Sequence, residues 1–344
     1  MLTKAPSFWW KKGGLAAISL APLSWLYGAI AGAQMRRDVE AWVDLPVVCI
    51  GNFTAGGTGK TPLAECLARH ARTRGLNPGF VLRGFGGRVR QATLVEKERH
   101  TFLDVGDEAL MLSETAPVAV SPARADAARL LKEIGVDFII MDDGLQSGKL
   151  GWDFSISVVD VGRGLGNGRC IPAGPLRAPM AIQIVRTDMV ILNGESGECG
   201  FADWFSAKYE LPLARVHTVP AIGNLADLSG RRVLAFAGIG NPEKFFETLR
   251  ACGADIVKTH ALSDHQAFSP ELAASLLREA QSLELVPVTT TKDYARLQGA
   301  MQPALIGLRE QCQTLPVATI FEDKQVPDDI IDRTIDSFRN RTTI

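Results

Sequence analysis

Several things are missing from this 344-residue chain, and each absence narrows what it can be. Its six cysteines (Cys49, Cys66, Cys170, Cys199, Cys252, Cys312) form no C-x-x-C pair. That argues against a zinc site and for a reducing compartment. Cys49 and Cys66 sit in apolar strand and helix patterns and read as small core residues. There is no charge excess: 37 Lys and Arg against 38 Asp and Glu leave a formal charge of -1. No global basic field exists to hold nucleic acid. No internal repeat appears, and no N-K-x-D segment of the kind that reads a guanine base. From Gly13 to Met35 there is no charged residue at all.

What is present is organised around Val47 to Pro62, VVCIGNFTAGGTGKTP. A β-branched run breaks into a glycine-rich loop, and a helical pattern, LAECLARHAR, follows. Strand, loop and helix are the context that a phosphate-binding P-loop requires. The loop residues are Thr54, Ala55, Gly56, Gly57, Thr58 and Gly59, followed by Lys60 and Thr61. Glycines let successive backbone N–H groups point into one concavity, and the helix N-terminus adds unpaired donors. Lys60 can reach terminal phosphates, and the Thr61 hydroxyl can ligate Mg²⁺. The strict motif opens on Gly where this chain has Thr54. A glycine-rich turn with a surface lysine is the plainer alternative.

Apolar content of 46% supports a sizeable core, and the length allows two domains. Alternating strand and helix patterns predict an α/β fold. It comprises a P-loop NTPase-like, mostly parallel sheet over residues 41–228 and a smaller α/β unit over 229–344. The last amphipathic helix has the option of packing back on the first unit. Residues 1–40 form a membrane-associated segment in this reading. Trp9, Trp10, Trp25 and Tyr27, with Lys11, Lys12, Arg36 and Arg37 as flanks, suit a membrane interface. A helix over Leu15 to Ala33 would be about 30 Å long, near the thickness of a bilayer. A signal peptide, a single span, a helix lying in one leaflet and a buried core helix all compete. Pro22 and the glycines favour the helix in one leaflet, with both ends cytoplasmic.

Further along, Phe80 to Leu82 reads as a strand leading to Arg83-Gly84-Phe85-Gly86-Gly87, a loop at a nucleotide or acceptor site or a simple turn. Asp107 and Glu108 open a helix, where Asp107 reads as a cap. The strand VDFIIM runs into Asp142 and Asp143, as in a Walker B element whose carboxylate holds Mg²⁺. Residues 162–179 form a long loop dense in Gly, Pro and Arg. Arg163, Arg169 and Arg177 are candidates for phosphate, or simply solvated. Residues 204–228 read as a connector. Gly238 and Gly240 lack the third glycine of a dinucleotide fingerprint.

Taken together, GNFTAGGTGKTP, LRGFGG, VGDE, MDDGLQ, RGLGNGRCIPAGPLR, FAGIGNP, DHQAF and TKD resemble the tetraacyldisaccharide 4'-kinase family of lipid A biosynthesis, in the same order. That family also begins its P-loop with Thr. The resemblance implies an ATP- and Mg²⁺-dependent kinase that phosphorylates the 4'-hydroxyl of a tetraacyl glucosamine disaccharide 1-phosphate. It implies work at the cytoplasmic face of the Gram-negative inner membrane, in a cleft between a larger and a smaller domain. The acceptor is a membrane-embedded lipid A precursor, and no obligate protein partner is evident. By the same resemblance Asp107 is the catalytic Asp, His265 its partner, Lys60 a phosphate ligand, and Asp142 and Asp143 the acidic pair. Arg83, Gln146, Arg163 and Arg177 are the substrate or phosphate candidates. Four positions depart from the common pattern: Ser147 and Gln266 where His is usual, and Ala178 and Thr291 where Glu is usual. A membrane-attached assembly ATPase, or a scaffold that merely binds nucleotide, remains the alternative.

Overall fold

The structure is a computed structural model and describes residues 5–11, 13–194, 201–221 and 228–343. Its strands are β1 Val47–Gly51, β2 Pro78–Leu82, β3 Thr93–Leu94, β4 Val118–Val120, β5 Phe138–Asp142, β6 Phe154–Asp160 and β7 Met189–Asn193. They continue as β8 Leu213–Pro220, β9 Arg232–Ala237, β10 Asp255–Ala261, β11 Val286–Thr290, β12 Gln313–Leu315 and β13 Val317–Phe321. Among the described residues, one sheet runs β13-β8-β7-β6-β1-β5-β2-β4-β3. It is parallel from β8 to β4, with antiparallel strands β13 and β3 at its edges.

The central strand β1 is buried along its whole length. Its side chains alternate between two cores, as a pleated strand covered on both faces must. Val48 and Ile50 pack with Leu63, Leu67 and Ala68 of the helix Lys60–Thr73. Val47 and Cys49 pack with Ala127, Ala128 and Leu131 of the helix Arg124–Glu133. Burial pushes the Cys49 thiol up to about 12 and the Cys66 thiol up to about 11, which leaves both inert. Cys199 lies outside the described residues.

A second sheet, β10-β9-β11-β12, is parallel throughout. The sheets do not divide the chain at residues 228 and 229 alone. Strand β13, expected with the smaller unit, pairs with β8 of the large sheet. The helix Val326–Thr343 follows it there, with Ile330 and Ile331 in the same core as Ile50 and Leu63. The connector expected over residues 204–228 also contains order: the helix Phe201–Tyr209 and β8. Only Ala214 and Val216 of β8 are buried, so its apolar signal is weak.

The N-terminal segment differs from one continuous helix. Leu15–Ser19 and Ala21–Met35 are separate helices, and the second carries Pro22 in its first turn. Among the described residues, no helix is long and apolar enough to cross a membrane, which corrects the single-span reading. The second helix turns small residues inward: Ser24, Gly28 and Gly32 are buried, with Met35. Leu23, Trp25, Leu26 and Ile30 face outward, Trp25 being 76% exposed.

Candidate active site

In a parallel sheet the functional loops gather at the C-terminal ends of the strands. The loop from Asn52 to Gly59 leaves β1 there, and the helix begins at Lys60. Hydrogen bonds from within the loop and from its neighbours brace it. Asn52 Nδ2 donates to the carbonyls of Thr54 (2.7 Å) and Gly56 (3.2 Å). Asn193, at the end of β7, donates to the Thr58 carbonyl at 2.9 Å. The Ala55 N–H donates to the Pro175 carbonyl at 2.8 Å, which ties the P-loop to the long glycine-rich loop. Gly59 caps the helix at φ 93°, a left-handed conformation that glycine adopts without strain. Asn52 and Asn193 had no signal in the sequence beyond following or ending an apolar run.

β5 brings Asp142 level with Ile50 of β1. Asp142 is 2% exposed, and neither carboxylate oxygen has a hydrogen-bond partner. Burial, reinforced by Glu108, pushes its carboxyl up to about 7, against the pull of Lys60. Asp143 sits at φ 53° and is fully engaged. Arg177 Nη1 lies 2.8 Å from both of its oxygens, and Lys60 Nζ lies 3.4 Å from Oδ1. Burial opposes its charge, and Lys60 and Arg177 overcome that and hold the carboxyl well below its usual range. Among the described residues, no three metal-binding side chains cluster. A Mg²⁺ site takes one or two carboxylates and leaves the remaining positions to phosphate and water. The bare, buried carboxylate of Asp142 is the donor such an ion needs, and the half-buried Thr61 is the second residue of the adjacent helix.

Asp107 and His265, 158 residues apart, meet: His265 Nδ1 lies 3.1 Å from Asp107 Oδ2. Asp107 is the first residue of its helix, and its Oδ1 accepts from the Glu108 N–H. Arg296 Nε donates to the same Oδ2 at 2.7 Å. Burial works against ionisation of Asp107, but Lys292, His265 and Arg296 outweigh it and keep the carboxyl low. His265 is 31% exposed at the side chain against 5% for Asp107, so the imidazole is the member that reaches solvent. Its Nε2 lies 3.3 Å from Lys292 Nζ, which itself donates to Glu108 at 2.9 Å. His265 adopts φ 56°, strained for a residue other than glycine, as functional residues often are. The turn is braced by Gln266, whose Oε1 accepts from the Ser263 N–H.

Arg296 and Glu108 gave little signal in the sequence. Asp293 and Arg296 stand one helical turn apart, and the pair is buried at 2.7 Å. Asp293 also accepts from the Gly238 N–H. The remaining candidates divide. Arg163 lies beside the P-loop, and Arg177 is on Asp143. Gln146 is spent on the Asn52 carbonyl and Gln183. Arg83 is exposed at the end of β2, and Arg169 is half-buried in the long loop. Of the four departures, Ala178 is buried and Ser147 accepts from Arg186. Thr291 begins a helix that Thr290 caps.

The family model for tetraacyldisaccharide-1-P 4'-kinase matches residues 16–336. The chain is 45% identical to a tetraacyldisaccharide 4'-kinase of Allorhizobium ampelinum over 98% of this chain and 99% of that one. It is 43% identical to that of Brucella ovis, over 99% of both. Its fold is similar to a crystal structure of LpxK from Aquifex aeolicus in complex with ATP. There the TM-score is 0.70 at 22% identity, covering 93% of this chain and 99% of the other. The chain belongs to the tetraacyldisaccharide-1-P 4'-kinase family.

Proposed function

We propose that this kinase transfers the γ-phosphate of ATP to the 4'-hydroxyl of tetraacyl glucosamine disaccharide 1-phosphate. The observation that carries the reading is the 3.1 Å contact between Asp107 and His265, beside Lys60 and the bare Asp142. The working units are the large sheet with residues 41–228 and the returning β13 and last helix, and the small sheet between them. The reaction lies in the cleft.

The P-loop backbone and Lys60 bind the ATP phosphates, and Asp143 holds Lys60 in place until they arrive. Thr61 and Asp142 would hold Mg²⁺, whose chemistry would be to neutralise the negative charge of the ATP phosphates. A sugar hydroxyl is a weak nucleophile at neutral pH. His265 Nε2 is the atom suited to take its proton, with Nδ1–H turned to Asp107, which fixes the tautomer and stabilises the imidazolium. Arg296 keeps Asp107 ionised for that purpose. Lys292 must yield its place at Nε2 to the hydroxyl and stays paired with Glu108. The loose transition state makes orientation of that hydroxyl as valuable as proton removal.

The acceptor carries its acyl chains in a bilayer, so the enzyme must work at a lipid surface. The outward Leu23, Trp25, Leu26 and Ile30 support attachment through the N-terminal helices at the cytoplasmic face of the inner membrane. Kinetics of Asp107→Ala, His265→Ala and the double variant test the pair. Each single change should lower kcat by roughly 10²–10⁴-fold with ATP affinity nearly intact. The double variant should lose less than the product of the two. Multiplicative losses, or an unchanged kcat in Asp107→Ala, would remove the pair from the mechanism.

A further inference from the structure

We infer that Trp10 is a positioning residue for Arg163, and that Arg163 seats the small unit against the phosphate loop. The N-terminal segment would then be part of the nucleotide site as well as an anchor. The short turn Ser7–Trp10 is not loosely attached. Trp9 is buried, and its indole Nε1 donates to the Pro172 carbonyl at 2.9 Å. Its own carbonyl accepts from the Asn167 N–H at 2.7 Å, and Asn167 Nδ2 donates to the Phe8 carbonyl at 3.3 Å. Both partners belong to the long loop over residues 162–179. Gly166 at φ 58° has no room for a side chain, because Trp9 O and Pro175 fill the space.

This docking delivers the Trp10 ring to Arg163, whose guanidinium carbon stands 4.9 Å from the ring centroid. A ring face attracts a guanidinium and, where water is partly excluded, fixes its direction. Arg163 is held at its other end as well: its N–H donates to Asp160 Oδ1 at 3.2 Å. From there both terminal nitrogens point at the Gly240 carbonyl of the small unit, at 3.4 and 3.5 Å. A side-chain carbon on Gly56 of the P-loop would lie 3.9 Å from Arg163 Nη1, and one on Gly240 would lie 3.1 Å from the Gly57 nitrogen. Three parts of the chain therefore converge on one guanidinium. Lys244 adds a second tie across the same seam, 3.4 Å from Asp160.

The contacts to Gly240 are long and shared between two nitrogens, so direction rather than bond strength is what Arg163 contributes. Trp10 supplies that direction. Removing the ring face should free Arg163 to turn toward solvent and loosen the turn Gly238–Asn241 over the P-loop. ATP would then be held less tightly.

This rests on the kinase reading for the identity of the nucleotide. The experiment uses the full chain in detergent micelles and measures Mg-ATP affinity by calorimetry, melting temperature and lipid phosphorylation. Trp10→Leu keeps apolar bulk without a ring face, and Trp10→Phe keeps a face. Trp10→Leu should weaken ATP binding roughly three- to tenfold, the range of one partly desolvated cation–π contact, with Trp10→Phe close to wild type. Arg163→Ala should weaken it at least as much, and Trp10→Leu added to Arg163→Ala should change nothing further. Equal affinity in Trp10→Leu and wild type, or losses that multiply in the double variant, would overturn the inference. So would a fall in melting temperature that accounts for the whole effect and that Trp10→Phe does not rescue. Wild-type enzyme that binds Mg-ATP but labels no lipid would overturn the kinase reading alone, since the affinity comparison stands without it.

Discussion

Among single residues, Asp142 gives the sharpest physical signature. Its carboxyl is buried without a partner and pushed up to about 7, from an ordinary value of 3.8. A raised carboxylate means that the folded protein binds the proton more tightly than the unfolded chain. The resulting penalty is absent below about pH 4, grows as pH rises toward 7, and is complete above it. One pKa step corresponds to 1.36 kcal/mol, so the penalty without cation is at most roughly 4 kcal/mol. Asp142→Asn should therefore be more stable than wild type at pH 8 in the absence of Mg²⁺, and the difference should vanish near pH 4. Thermal melts across that range check it. Addition of Mg-ATP should stabilise wild type more than Asp142→Asn, which keeps the P-loop but lacks the charged cation ligand. Wild type and variant with parallel stability curves would mean that Asp142 is not the bare carboxylate on which the cation reading depends. Lys60→Ala should abolish phosphoryl transfer, since the terminal phosphates lose a charge-assisted contact in the cleft. Near-normal turnover in that variant would leave the phosphate loop without a role.

At the scale of elements, the N-terminal helices have a packed inward face and an exposed apolar outward face. Inward, Ser24 Oγ donates to the Cys170 carbonyl at 2.7 Å, and Gly28 and Gly32 let the helix approach Cys170, Pro179 and Ile182. The end of that helix is held by Arg186 Nη1, which donates to the Met35 carbonyl at 2.7 Å. Outward, the apolar side chains have only solvent or lipid. Trp25→Glu combined with Leu26→Glu should lower sedimentation with lipid vesicles and leave the melting temperature unchanged. Deletion of residues 1–35 should do both, lowering membrane binding and loosening the loop over residues 162–179 that it braces. Equal vesicle binding by the doubly charged variant and wild type would sink the anchor reading. The same contrast explains what the sequence could reveal. The P-loop and the strand into Asp142 were legible because local periodicity and glycine chemistry determine them. The break at Leu20 was foreshadowed by Pro22. Strand β13 was legible as a strand but not as a member of the large sheet, because edge pairing with β8 is set by the tertiary fold. Small residues facing inward on an apolar helix have no reading until their neighbours are known.

At the scale of the whole molecule, the candidate site draws its residues from the sides of both sheets. Asp107 and Glu108 come from the large sheet's side, and His265, Lys292 and Arg296 from the small sheet's side. Along the same seam Arg163 and Asp160 reach Gly240 and Lys244. No local pattern could announce Arg296, because its partner Asp107 is 189 residues away. The resemblance of eight motifs in order did point to Asp107 and His265. The ion pairs that hold those two became visible only in three dimensions. The most direct measurement is transfer of ³²P from γ-labelled ATP to purified tetraacyl disaccharide 1-phosphate in detergent micelles, with the product's phosphate located by mass spectrometry. The expected result is labelled lipid carrying the new phosphate at the 4' position, together with ATP consumption that depends on the lipid. ATP hydrolysed at the same rate with and without lipid, and no label in the lipid, would contradict it.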